Sequence, residues 1–419
     1  MGKYIINGGN RLEGEVKIEG SKNAVLPILA ASIINGGESI IHNVPYLKDV
    51  NTLFNVLNTI GCSCSFEGST MIVNSSGDLN INIPEKPVRE MRSSIILMGA
   101  MLGRFKRVKI SFPGGCEIGL RPIDLHLAGL KLLGAKIVES HGYILCECDR
   151  LYGNEIHLDY PSVGATENIM LAAVSAEGVT IIQNAAREPE IADLQEFLNK
   201  MGAKITGGGS STIRIQGVRE FQNVEHTVIP DRIVAGTYMV AAAITGGKVV
   251  IRDIIPEHIK PIISKLGESG CKIYRYDQSI GISCSKRPNA VEFVKTMPYP
   301  GFPTDMQAQM MALMCTAKGT SIFIETIFEN RYKHAEELIK MGADIKIEGR
   351  AAIVKGVNDL MGAHVVSRDL RGGAALVLAG LAAEGTTIVD NVDIHIDRGY
   401  DSLDMKLRSL GADITKDEN

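Results

Sequence analysis

The residues of this chain that could do chemistry fall in two kinds of place. Six times a polar or charged phrase stands directly ahead of an apolar run: Gly20-Ser21-Lys22-Asn23, Arg89-Glu90-Met91-Arg92, Ser162-Val163-Gly164-Ala165-Thr166, Asp231-Arg232, Thr304-Asp305 and Asp369-Leu370-Arg371. If each run is a helix, its first turn leaves backbone N–H groups unpaired at the positive end of the dipole, and Lys22, Arg92 and Arg371 add full charges there. Such ends bind anions, phosphate and carboxylate above all. Taken singly, Asp231, Asp305 and Asp369 read equally well as helix N-caps; their recurrence at equivalent positions favours a shared role.

The second place is the segment Pro113 to Pro122, which carries Gly114, Gly115, Gly119, a single thiol at Cys116 and a guanidinium at Arg121. Glycines at this density give up conformational entropy unless backbone freedom is used, which reads as a lid over a site. A thiol outside any apolar face and near an arginine is placed to ionise. The pairs Cys62 with Cys64 and Cys146 with Cys148 lie in strand-like pattern without a histidine cluster, and read as packing rather than metal ligands.

The elements that must carry these residues repeat. A leucine-rich amphipathic stretch ends in glycine at Gly61, Gly134, Gly202, Gly270, Gly342 and Gly411, each followed by a short apolar strand. A second phrase keeps step with it, a strand opened by glycine and a short polar residue, as in Gly37-Glu38-Ser39-Ile40-Ile41 and Gly385-Thr386-Thr387-Ile388-Val389. The period is about 70 residues and six copies cover the chain. The helices are of two kinds. Leu47, Val50, Phe54, Leu57 and Ile60, or Ile191, Leu194, Leu198 and Met201, form one apolar stripe and predict outer helices. The runs 23–34, 91–102, 163–176, 231–245, 305–317 and 369–383 are apolar nearly all round, yet too short to span a bilayer, and predict helices buried in the protein. Three repeats per half then give an inverted α/β barrel, with the halves separating between Val224 and Pro230.

The totals agree with two domains in 419 residues. With 44 basic and 48 acidic residues there is no global field to hold nucleic acid or a membrane surface, so any cationic site must be local. Eight cysteines and no apolar signal segment behind Met1-Gly2-Lys3 make a reduced, cytoplasmic protein the expectation.

From Asn7-Gly8-Gly9 to Leu410-Gly411-Ala412-Asp413-Ile414, the chain resembles the UDP-N-acetylglucosamine 1-carboxyvinyltransferase branch of the enolpyruvyl transferase family. The phrases that carry the likeness are Glu19 to Ala24, Gly114 to Cys116 with Arg121 to His126, Ser162 to Glu167, Pro303 to Gln307, Glu329 to Tyr332, Asp369 to Gly373 and Asp397 to Tyr400. Tyr160 stands where some relatives carry a basic residue.

The resemblance implies an α/β fold of two inside-out barrels, six repeats with buried central helices, in which residues 22–229 form one domain and 1–21 with 230–419 the other, the site lying between them. It implies transfer of the enolpyruvyl group of phosphoenolpyruvate to the 3-hydroxyl of UDP-N-acetylglucosamine by addition and elimination, without metal or cofactor, as the first committed step of peptidoglycan synthesis. The sugar nucleotide would meet Asn23, Arg92, Arg121, Pro122, Ile123, Asp124, Leu125, Ser162, Val163, Gly164, Asp305 and Ile327. For phosphoenolpyruvate, Lys22, Arg121 and Arg398 would hold the phosphate, with Asn23 beside them, while Arg331 and Arg371 serve the carboxylate. Cys116 is the candidate to protonate C3 or assist product release, Asp305 the candidate base, and Lys22 the third catalytic residue. Two rivals follow from the same likeness: transfer to 3-phosphoshikimate, against which Lys22-Asn23 and the Cys116 loop argue, and a non-catalytic paralogue that only binds a UDP-sugar.

Overall fold

In the computed structural model, which describes residues 2–114, 123–285 and 287–417, the six repeat glycines all adopt left-handed backbone, with φ between 91° and 110°. Each donates its N–H three residues back, and the next residue donates five back: Cys62 to Leu57, Ala135 to Leu130, Ala203 to Leu198, Cys271 to Leu266, Ala343 to Leu338 and Ala412 to Leu407. This doubly bonded ending satisfies two carbonyls that a helix C-terminus would otherwise leave open, and turns the chain sharply into a strand. Only glycine takes that conformation without a steric penalty at Cβ.

The two predicted kinds of helix are present. In Arg232–Ile244 every residue after the first is buried, and in Gln307–Cys315 all nine are, so neither has a face for water. Outer helices bury one stripe: Pro189–Lys200 covers Ile191, Leu194, Phe197 and Leu198, and Lys48–Thr59 covers Val50, Leu53, Val56 and Leu57. Cys62 and Cys146 are buried in the same core, and Cys64 and Cys148 are half-buried against it, which is the packing role their spacing suggested. Two buried helices begin differently from expectation. Arg92–Ile96 and Thr304–Met306 are 3-10 turns ahead of Leu97–Phe105 and Gln307–Cys315, and neither has a capping side chain; the tighter turn shifts the register at which the α-helix starts.

The chain divides into two units, one of residues 20–114 and 123–229, the other of 2–19 and 230–417. In the first, the buried helices are Lys22–Ala31, Leu97–Phe105 and Val163–Ala173. Its last strand, Val224–Thr227, pairs in parallel with Glu38–His42, so the third repeat completes the sheet of the first. In the second unit the buried helices are Arg232–Ile244, Gln307–Cys315 and Leu370–Ala382. There Glu13–Lys17 pairs in parallel with Lys248–Arg252, and Lys3–Asn7 lies antiparallel between Thr386–Asp390 and Asp413–Asp417. The N-terminal strands thus finish the sheets of repeats four and six.

In the first unit, Ile34, Gly103 with Arg104 and Lys106, and Ser175 with Glu177 border one cavity of about 560 Å³. These are the C-terminal ends of its three buried helices, so the helices point the same way and their N-termini emerge together at the other end. The Arg104 guanidinium donates to the carbonyls of Ile33 and Ser75, a cation placed where the helix dipole is negative.

Gly342 has φ of 91° and open space where a Cβ would go, whereas Gly267, inside helix Lys260–Glu268, has open space and ordinary helical backbone. Gly342→Ala should therefore cost about 1 kcal/mol through backbone strain alone, and Gly267→Ala should add about 0.5 kcal/mol. Thermal melts of the two variants should shift in opposite directions.

Candidate active site

In the second unit the three helix N-termini gather around Asp305. Its Oδ1 accepts from Arg331 Nη2 at 2.9 Å, and its Oδ2 from Arg371 Nε at 3.3 Å and Nη2 at 3.2 Å. The arginine side chains are 3% and 2% exposed, while that of Asp305 is 28% exposed, so the carboxylate is the part open to solvent. Two donors are left over: Arg331 Nε and Arg371 Nη1 are buried with no acceptor among the described residues. Burial disfavours the charge of Arg371, but the Tyr400 hydroxyl and the carboxylates of Asp305 and Asp231 hold its pKa above the ordinary guanidinium value.

The backing is a polar network in which Gln309 Oε1 has no partner among the described residues. Arg371 lies 5.3 Å from the centre of the Tyr400 ring, and the Tyr400 hydroxyl is 3.0 Å from Thr237 Oγ1. Gln309 donates to that hydroxyl at 3.2 Å and to the Asp305 carbonyl at 2.8 Å, so one amide links the stacked phenol to the backbone of the acid. Glu325 is 1% exposed and accepts from the hydroxyls of Thr296 and Thr304 and the amides of Ile327 and Phe328. It therefore fixes Ile327 relative to the turn that carries Asp305. Arg398 ends the turn Ile396–Arg398, which packs on helix Leu370–Ala382.

The cap reading and the functional reading divide between the aspartates. Asp231 accepts from the amides of Ile233 and Val234, and Asp369 from those of Arg371 and Gly372; both are N-caps. Asp305 sits inside its 3-10 turn, where no side chain caps the helix, and its oxygens go to the arginines instead.

In the first unit, Lys22 Nζ lies 2.6 Å from Asp49 Oδ2 at the start of the first buried helix, with Asn23 half-buried beside it. Ser162 caps the third helix, its Oγ accepting from Ala165 N. Between the second and third helix starts stands His126, whose Nδ1 is 2.7 Å from Asn168 Nδ2. Asn168 Nδ2 also donates to the Ile95 carbonyl and its Oδ1 accepts from Gly99 N, so the amide is oriented, Nδ1 is an acceptor, and the imidazole proton is on Nε2. A Cβ on Gly164 would fall 2.9 Å from His126 Cε1, which accounts for glycine between Val163 and Ala165. Burial and the nearby Arg92 push the pKa of His126 down to about 4, so the ring is neutral at pH 7.

The first unit thus brings Gly164 against the ring of His126 and Arg92 near it, and His126 directly follows Ile123, Asp124 and Leu125; Asp124 is exposed and Ile123 and Leu125 half-buried. Tyr160 is exposed and accepts the Ser162 amide through its carbonyl. Cys116, Arg121 and Pro122, with the lid reading they supported, lie outside the described residues. The sequence reading missed His126, Asn168, Glu325, Gln309 and Tyr400 as parts of these sites; Glu325 is the sole acid in an apolar strand end, a signal that could have singled it out. Among the described residues no group of three or more metal-ligating side chains gathers, and no helix is long and apolar enough to cross a membrane.

A family model described as EPSP synthase (3-phosphoshikimate 1-carboxyvinyltransferase) matches residues 6–407, so the class is set over nearly the whole chain. The enolpyruvyl transferase NikO from Streptomyces tendae has the same fold, with a TM-score of 0.89 at 24% identity over 99% of this chain and 98% of that one. UDP-N-acetylglucosamine 1-carboxyvinyltransferase 2 of Caldanaerobacter subterraneus is 58% identical over 99% of this chain and 100% of its own length. UDP-N-acetylglucosamine 1-carboxyvinyltransferase 1 of Symbiobacterium thermophilum is 54% identical over 99% and 95%. Within its class, the chain belongs to the family of UDP-N-acetylglucosamine 1-carboxyvinyltransferases.

A second buried histidine, His334, is also held near pKa 4, by burial and Arg331 against the opposing pull of Asp369. Both rings are neutral in the folded protein and take up a proton near pH 6.5 when unfolded. Their folded pKa values are depressed, so the stability they confer is complete above about pH 6.5 and is lost as pH falls toward 4, by at most about 1.4 kcal/mol per pH unit for each ring. Urea unfolding at stepped pH should show this slope, reduced in His334→Gln; equal slopes would contradict it.

Proposed function

We propose that the chain transfers the enolpyruvyl group of phosphoenolpyruvate to the 3-hydroxyl of UDP-N-acetylglucosamine, releasing phosphate, and that it does so in the cytoplasm as the first committed step of peptidoglycan synthesis. The identity of more than half of all positions with full-length carboxyvinyltransferases of that acceptor supports this reading over transfer to 3-phosphoshikimate and over a non-catalytic paralogue. The observation that carries the chemistry is the buried pair of guanidiniums around Asp305, with two donors still open. In this reading each unit is one of two inside-out α/β barrels.

The substrate carboxylate takes Arg331 and Arg371, completing donors that Asp305 leaves unmet, and so releases the Asp305 carboxylate. Lys22, Arg121 and Arg398 take the phosphate, with Asn23 adjacent. The sugar nucleotide lies against Arg92, the Arg121 to Leu125 run, Ser162, Val163, Gly164 and Ile327. The 3-hydroxyl oxygen then forms a bond to C2 of phosphoenolpyruvate, its proton passing to Asp305, while C3 gains a proton with Cys116 as the candidate acid. In the second step C3 loses a proton, the C2 to phosphate oxygen bond breaks, and the double bond returns. Positioned proton transfer of this kind contributes on the order of 10²- to 10⁴-fold.

Phosphate release measured with each acceptor in turn tests the reading. UDP-N-acetylglucosamine should support turnover and 3-phosphoshikimate should not; the reverse, or tight UDP-sugar binding without any release, would overturn it. Asp305→Ala should keep UDP-sugar binding and lose at least about 10²-fold in kcat; unchanged kcat would remove Asp305 as the base.

A further inference from the structure

Far from these residues in the repeat plan, two thiols face each other across an antiparallel hairpin. Strands Lys272–Arg275 and Ser279–Ser283 pair with Lys272 opposite Ser283, which puts Cys271 and Cys284 opposite each other at the next position. Their Sγ atoms are 2.9 Å apart, and neither is in a disulfide. Neither uses its amide toward the other: Cys271 N–H donates to the Leu266 carbonyl at 3.1 Å and Cys284 N–H to the Gly247 carbonyl at 3.0 Å. This is the non-hydrogen-bonded type of cross-strand pair, in which Cα atoms stand about 4.5 Å apart and side chains are closest. That spacing lies inside the range of about 4.4 to 6.8 Å that a disulfide requires. The backbone on both sides is already fixed, by the left-handed Gly270 that ends helix Lys260–Glu268 and by the Gly246-Gly247 turn. A bond therefore needs side-chain rotation and no shift of the strands.

We propose that Cys271 and Cys284 are a reversible oxidation site, closing to an intramolecular disulfide with a small peroxide as oxidant. Cys271 is the attacking sulfur. The hydrogen bond from Cys284 pulls its thiol pKa down against the cost of burial, with Ser269 assisting, while the same bond and burial push Cys284 up. Burial instead pushes Cys62 up to about 11 and Cys64, Cys146 and Cys315 up to about 12, which keeps them as thiols. Cys271 is 7% exposed and Cys284 3%, an opening suited to hydrogen peroxide and too small for a peptide disulfide.

The step balances. The Cys271 thiolate attacks one peroxide oxygen, the O–O bond breaks, and the departing hydroxide takes a proton to become water, leaving a sulfenic acid. Cys284 sulfur then attacks Cys271 sulfur, and the expelled hydroxide leaves as water with the Cys284 proton. Two thiols and one peroxide give one disulfide and two waters.

The test is peroxide titration of the full-length protein, alkylation in denaturant, and peptide mapping without reductant. Cleavage after Lys272 and Arg275 places the two cysteines in separate peptides, so a bond between them joins the two. The expected result is this joined pair, lighter by two hydrogens and separated by dithiothreitol, with a rise in Tm of roughly 5 °C from closing the hairpin. Dimedone present while the unaltered protein is oxidised should label Cys271 and leave Cys284 unlabelled, and neither Cys271→Ala nor Cys284→Ala should give the joined pair. Both cysteines recovered alkylated, at peroxide doses that convert the exposed Met405 to its sulfoxide, would overturn the proposal, as would joined peptides only between separate molecules.

Discussion

Two guanidiniums buried to within 3% of full enclosure need a counter-charge, and the rest of this structure is arranged around how they get it. Removing an ion from water costs several kcal/mol even after relaxation, and an arginine pair costs more because the two repel. Asp305 offsets both at once, one oxygen to each, and it is the member of the cluster that solvent can reach. Asp231 and Asp369 contribute negative charge nearby while each also caps a helix. Asp305 leaves Arg331 Nε and Arg371 Nη1 unmet, two buried donors that a further acceptor would complete.

The repeat architecture explains why the charge sits there. A helix apolar on every side has only its ends to offer to chemistry. In the unit of residues 20–229 the C-terminal ends are met by protein cations, with Arg104 on the Ile33 carbonyl and Lys106 on the Gly103 carbonyl. The N-terminal ends keep their positive dipole for anions. Six alike glycine endings on the outer helices set the angle at which each strand returns, while 3-10 turns shift the start of two of the buried helices, Leu97–Phe105 and Gln307–Cys315.

Much of this was legible in the residues themselves. The six glycines announced a left-handed ending because no other residue suits it, and the contrast between all-apolar and striped helices announced what is inside and what is outside. The 3-10 entries at Arg92 and Thr304 were not legible, since a missing cap looks the same in sequence as one supplied from elsewhere. Nor were the roles of His126, Glu325 and Tyr400, whose partners Asn168, Thr296 and Thr237 stand 42, 29 and 163 residues away. Asp231, Asp305 and Asp369 looked alike in sequence; only the hydrogen-bond directions separate two caps from one ion-pair bridge. Cys271 and Cys284 likewise become neighbours only through strand register.

The most direct measurement is a crystal structure of the protein with UDP-N-acetylglucosamine and a non-transferable phosphoenolpyruvate analogue. The account predicts the analogue's carboxylate at about 2.7 to 3.2 Å from Arg331 and Arg371, with Asp305 released from at least one of them and turned to the sugar 3-hydroxyl. An analogue bound elsewhere, with Asp305 still bridging both guanidiniums, would contradict it.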